Sequence, residues 1–70
     1  MRPGAKVRVV SITAPGGYQF TSLSDMLKNR VIGEVKSPPD AAGYVSVQFD
    51  TMPDGNWLSV HTSMLNHVRP

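Results

Sequence analysis

The chain has 70 residues, no cysteine, 40% hydrophobic and 17% charged residues, and seven Lys or Arg against five Asp or Glu for a formal charge of +2. A chain of this length buries only about 60% of its unfolded surface, so it holds one small core and no second domain, and without cysteine neither disulfides nor thiolate zinc sites can staple it. No apolar run approaches a membrane span, the N-terminus lacks the basic-then-apolar signal pattern, and the absence of disulfides favours a reducing compartment, so a cytoplasmic protein is expected.

Gly and Pro, six of each, are spread along the chain and divide it into short segments, the spacing of small all-β domains. The first segment, residues 5–12 (AKVRVVSI), follows Pro3-Gly4 and is rich in β-branched residues, which predicts a strand starting near Lys6. Val7 and Val9 share one face while Arg8, Val10 and Ile12 share the other, so a bulge or a doubly covered end is expected.

The stretch 13–29 has no strand pattern and is too long for an idle connection. Within it Ser22-x-x-Asp25 resembles a capping box, with Leu23, Met26 and Leu27 at helical spacing. This predicts one or two helical turns that lid an open end of the core. Residues 30–36 (RVIGEVK) form the second predicted strand, ended by Ser37-Pro38-Pro39-Asp40. The third, residues 43–50, alternates cleanly, with Val45, Val47 and Phe49 inward and Tyr44, Ser46, Gln48 and Asp50 outward.

Pro53-Asp54-Gly55 supplies turn chemistry, with Gly55 at positive φ, and joins the third strand to residues 57–62 as a hairpin. There Leu58, Val60 and Thr62 face the core and Trp57, Ser59 and His61 face out. Residues 63–66 suit one 3₁₀ turn, and His67-Val68-Arg69 a last short strand.

This order of elements gives an all-β, five-stranded layout that resembles the Src-homology-3-like small barrel, a single domain over residues 1–70 with a long first loop carrying a short helical turn. The opening Pro3-Gly4-Ala5-Lys6-Val7-Arg8-Val9 and the second strand Ile32-Gly33-Glu34-Val35 resemble those of many such barrels. Val45 to Asp50 is similar to the third strand of photosystem I subunit IV. KOW-type barrels of ribosomes and transcription complexes share the order of elements as well. The resemblance to that subunit is loose in the first loop, where Tyr18 and Phe20 stand in for its aromatics and a helix-like insert lengthens the chain. A shared fold of this kind hosts many functions.

Chemistry-bearing residues are sparse. His61 and His67 lie on different predicted elements with no carboxylate at ligand spacing, so no metal is expected. The serines lack a nucleophile elbow, and Gly16-Gly17 is not followed by the Lys-Ser/Thr of a phosphate loop. Val47-Gln48-Phe49 resembles part of the Val-Gln-Ile-Tyr motif of type II dihydrofolate reductases, small barrels that build one site at a tetramer centre. Here, however, it sits in mid strand, and Phe49 has no phenolic oxygen. A non-catalytic protein without cofactor is expected.

What the pattern offers instead is a surface. Tyr44, Gln48, Trp57 and His61 face outward, and a first loop folded over the hairpin would bring Tyr18 and Phe20 beside them, the groove that SH3-like barrels use for ligands. The leading expectation is therefore an adaptor, of the kind small operon- or phage-encoded accessory proteins provide, docking on a larger protein or protein complex. Lys6, Arg8, Arg30 and Lys36, with Arg2, fall on the first two strands while Asp40, Asp50 and Asp54 fall toward the third strand and hairpin. Polarised charge beside aromatics makes a KOW-type binder of RNA or single-stranded DNA the alternative. An open edge strand fits either a monomer or a homodimer.

Overall fold

The computed structural model describes residues 1–69. Five strands form one antiparallel sheet: β1 (Lys6–Val9), β2 (Ile32–Val35), β3 (Tyr44–Phe49), β4 (Leu58–His61) and β5 (Leu65–His67). Their order in the sheet is β4-β3-β2-β1-β5, so the two outer strands follow one another in the chain through a 3₁₀ turn at Thr62–Met64. Among the described residues no helix is long and apolar enough to cross a membrane.

The alternation read from the sequence sets the faces. Val7, Gly33 and Phe49 stand on one inward rung across β1, β2 and β3, Val35 and Val47 on the next, and Val45 and Val60 on the last. All seven are buried, as are Val9, Leu23, Met64 and Leu65. Burying a Val, Leu or Met side chain contributes about 1.5–3 kcal/mol each, which is how a small sheet offsets its chain entropy. No polar or charged residue is buried among those described, so the core carries no desolvation cost of that kind.

Several boundaries differ from the sequence expectation. β1 ends at Val9, and Val10 turns out to 40% exposure. Beyond it the N–H groups of Val10 and Ser11 both donate to the Met64 carbonyl (2.8 and 3.4 Å), two residues against one acceptor as at a bulge. The last 3₁₀ turn starts one residue earlier than expected, and β5 is Leu65–His67 rather than 67–69. The reason is at the turn's start: His61 Nδ1 accepts the Ser63 N–H at 3.1 Å and caps it, so the chain re-enters the sheet sooner.

Ser22 does not cap the helical insert. A 3₁₀ turn, Thr21–Leu23, runs into α1, Ser24–Lys28, and neither start has a side-chain cap. Ser24 Oγ instead donates back to the Thr21 carbonyl at 2.7 Å. Leu23 fills the core and Met26 packs against it, but Leu27 is 37% exposed, so only two of the three expected residues close the sheet's open end.

α1 stops in a way the sequence did not announce. Val31 N–H donates to the Met26 carbonyl (3.0 Å) and Arg30 N–H to the Leu27 carbonyl (3.4 Å), the two bonds of a Schellman motif. The residue that must turn left-handed there is Arg30, at φ 53°, and among the described residues it is the one non-glycine with positive φ. Glycine is the usual occupant, and an L side chain in that conformation costs roughly 1–2 kcal/mol.

Candidate functional site

The first loop builds its own small arm. Ala14 N–H donates to the Tyr18 carbonyl (2.7 Å), Phe20 N–H to the Ile12 carbonyl (2.7 Å), and Thr13 bridges Gln19, so the chain doubles back around Gly16-Gly17. Ala14 is buried and anchors the arm, which leaves Tyr18 and Phe20 on one stretch laid toward β3.

There they meet the sheet's outward face. Tyr18 and Phe20 rings are edge-to-face with centroids 5.0 Å apart, Phe20 stacks on Tyr44 at 6.5 Å, and Tyr44 meets His61 edge-on at 5.1 Å. Each contact lies in the favourable range for ring pairs, worth about 0.5–1.5 kcal/mol beyond area burial. Four of the six residues expected to bind a partner thus form one continuous ladder of rings across the arm, β3 and β4. Its outer end is open: Tyr18 is 69% exposed, while Phe20, Tyr44 and His61 are half-buried.

The ladder's inner end is firmly placed. Tyr44 pairs with His61 across β3 and β4. Asp40 Oδ1 accepts the N–H groups of Ala42 and Tyr44, both at 2.9 Å, and so fixes the entry into β3. Because the Ser63 N–H is a donor, Nδ1 of His61 must accept, and the neutral ring carries its proton on Nε2. That edge lies over Gly43, where a Cβ would stand 2.7 Å from Nε2 and where φ is +88°, so only glycine lets the ring settle.

Gln48 and Trp57 stand apart from the ladder. The Gln48 amide is turned into the β3–β4 connection: Nε2 donates to the carbonyls of Met52 and Pro53 (3.1 and 3.0 Å), and Oε1 accepts the Gly55 N–H (2.9 Å), with Gly55 at the expected positive φ. It serves as an internal clasp for the hairpin. Gln48→Leu is expected to lower stability by about 1–2 kcal/mol, read as a lower urea midpoint, because part-buried carbonyls lose their donor. Trp57 is 52% exposed and stacks on no other ring among the described residues. It lies four residues from His61, about 13 Å along an extended strand.

The cations expected to act together divide into two groups. Glu34 holds both Lys6 (2.9 Å) and Lys36 (3.0 Å). The hydrogen bond from Lys6, then that from Lys36, keeps the Glu34 carboxyl below the ordinary carboxylate range, and the same bond to Glu34 raises Lys6. Arg8 and Arg30 make no ion pair among the described residues and line two open clefts, one of them bounded by Leu27 at the end of α1. Arg69 and His67 join them, two residues the sequence reading did not assign to a site. The signal available for them was the pairing of the last strand with the first, which lays the chain's end beside Arg8.

Among the described residues no three His, Cys, Asp or Glu side chains come together as metal ligands would. Comparison with known proteins finds no family model, no curated protein and no solved structure that matches the chain.

Proposed function

We propose that the chain is a non-catalytic docking module, an SH3-like small barrel that seats an extended segment of a larger protein assembly on its ladder of aromatic rings. The barrel reading is supported by the strand order β4-β3-β2-β1-β5, the long arm between β1 and β2, the tight β3–β4 hairpin and the 3₁₀ turn before β5, a set that resembles that superfold. In that reading the sheet curls until its outer strands approach through the 3₁₀ turn.

The observation that carries the docking role is the run Tyr18, Phe20, Tyr44, His61, which is rigid at the sheet and 69% exposed at Tyr18. Aromatic-lined grooves suit extended, proline-containing peptides, whose rings and flat backbone lie against aromatic faces at small entropic cost. A strand of nucleic acid needs cations beside its stacking platform. The shallow cavity at the ladder's outer end is lined by Tyr18, Gln19, Phe20, Thr21 and Ser22, none of them basic. A protein segment is therefore the better fit there.

The test is a titration of isotope-labelled protein with a panel of extended proline-rich peptides, followed by amide and ring shifts. Shifts centred on Tyr18, Phe20, Tyr44 and His61 are expected. Tyr18→Ala should weaken binding about tenfold or more, in the range of an interface anchor, and move the melting temperature by no more than a few degrees because the ring is mostly in solvent. Trp57→Ala, at another exposed ring, separates the ladder from the hairpin: retained affinity confines the groove to the ladder, and a comparable loss extends it along β4. Shifts confined to the Arg8 and Arg30 side of the sheet, with the ladder silent, would sink the proposal.

A further inference from the structure

At the β1–β5 end of the sheet, away from the ladder on β3 and β4, Arg8, Arg30 and Arg69 surround an open cleft of about 360 Å³ with His67, Ile32 and Val68, and Arg8 and Arg30 also line an adjoining cleft of about 280 Å³ with Val9, Val10 and Leu27. Neither cleft has an acidic residue in its wall. Glu34 holds Lys6 and Lys36, whereas Arg8, Arg30 and Arg69 make no ion pair among the described residues and are open to an outside anion.

We infer that these clefts bind the phosphodiester backbone of a single-stranded nucleic acid, with Arg8, Arg30 and Arg69 as the phosphate contacts. Three features point this way. The lining cations are arginines alone, whose planar forks take phosphate oxygens in pairs and whose faces stack on unpaired bases. Exposed aliphatic surface lies between them, Val10 at 40% and Leu27 at 37%, which suits sugars and open base faces that a duplex would keep in its stack. The third is Arg30 itself, held at φ 53° in the position of the helix stop where glycine is the relaxed choice. Strain kept at one residue that lines both clefts is the pattern of a functional position. The site shares no residue with the aromatic ladder, so it stands or falls apart from the docking role.

Arg30→Gly tests the inference with folding and binding read in opposite directions. The probe is a short fluorescein-labelled oligouridylate, its affinity followed by anisotropy over a range of salt. For the parent chain, three contacts on a single strand give a slope of log affinity against log salt of about −2, each contributing about −0.7. Arg30→Gly should raise the melting temperature by a few degrees while weakening binding about fivefold and reducing the slope by about 0.7. Arg8→Gln should reduce the slope likewise, Lys36→Gln and Tyr18→Ala should leave it in place. A slope near zero, an Arg30→Gly variant that keeps full affinity, or displacement of the RNA by polyglutamate at equal charge concentration would overturn the assignment, the last in favour of an acidic protein segment.

Discussion

Phe49→Ala is expected to leave the protein unfolded at room temperature, without a cooperative melt in far-ultraviolet circular dichroism. Phe49 is the largest of the fully buried side chains and ends the inward rung it shares with Gly33 and Val7, its ring reaching back over Gly33. Truncating a buried Phe costs about 3–5 kcal/mol through lost transfer energy and the cavity left behind. A chain this short holds a total of about the same size, so one such loss exhausts it. The surroundings cannot collapse to fill the gap, because the neighbours Val7, Val35 and Val47 are already fully buried on a hydrogen-bonded sheet. Phe49→Leu keeps most of the volume and should stay folded with a lowered midpoint. A cooperative transition for Phe49→Ala near that of the parent would mean that β3 does not present Phe49 to the core.

The parts of the fold legible in the sequence are those set by short-range pattern. β3 alternates over six residues with buried Val45, Val47 and Phe49, and period two leaves no other way to place them. The β3–β4 hairpin was likewise announced by Pro53, Asp54 and Gly55. What was missed depended on partners distant in sequence or on competition between local bonds. Ser22 falls inside the 3₁₀ turn rather than at a helix start, while Ser24 bonds back to the Thr21 carbonyl; serine takes either kind of local bond, and the sequence does not rank them. Arg30 carries a left-handed turn with no glycine to mark it.

The site was legible by residue type and only partly by position. Tyr18, Phe20, Tyr44 and His61 come together because the first loop folds back on β3, a consequence of its length and its glycine pair. Gln48 looks like any outward polar residue until the turn carbonyls it clasps are in place. Counted along the strands, the basic residues make one patch, whereas Glu34 draws in Lys6 from β1 and Lys36 from beyond its own strand and leaves Arg8 and Arg30 unpaired among the described residues. Only the register of β5 against β1 adds Arg69 to it.

Gly33→Ala is expected to cost more than a methyl group normally does on a strand, about 1–3 kcal/mol, although alanine gives the unfolded chain less freedom to lose. Gly33 points inward between Val7 and Phe49, and a Cβ there would lie 2.5 Å from Val47 Cγ1 and 3.0 Å from the Phe49 ring. Both neighbours are fully buried, so neither can swing into solvent to make room. A glycine inside a strand ordinarily weakens it; here it leaves the space that Phe49 and Val47 fill beside β2. The measurement is urea unfolding, with a lower midpoint and an unchanged slope expected for the single variant. Val47→Ala, itself destabilising, removes the atom in the way, so the double variant Gly33→Ala with Val47→Ala should lose clearly less than the two single losses added together. Strict additivity would show that the added methyl never meets Val47, and that Gly33 is retained for its backbone rather than for the space it leaves.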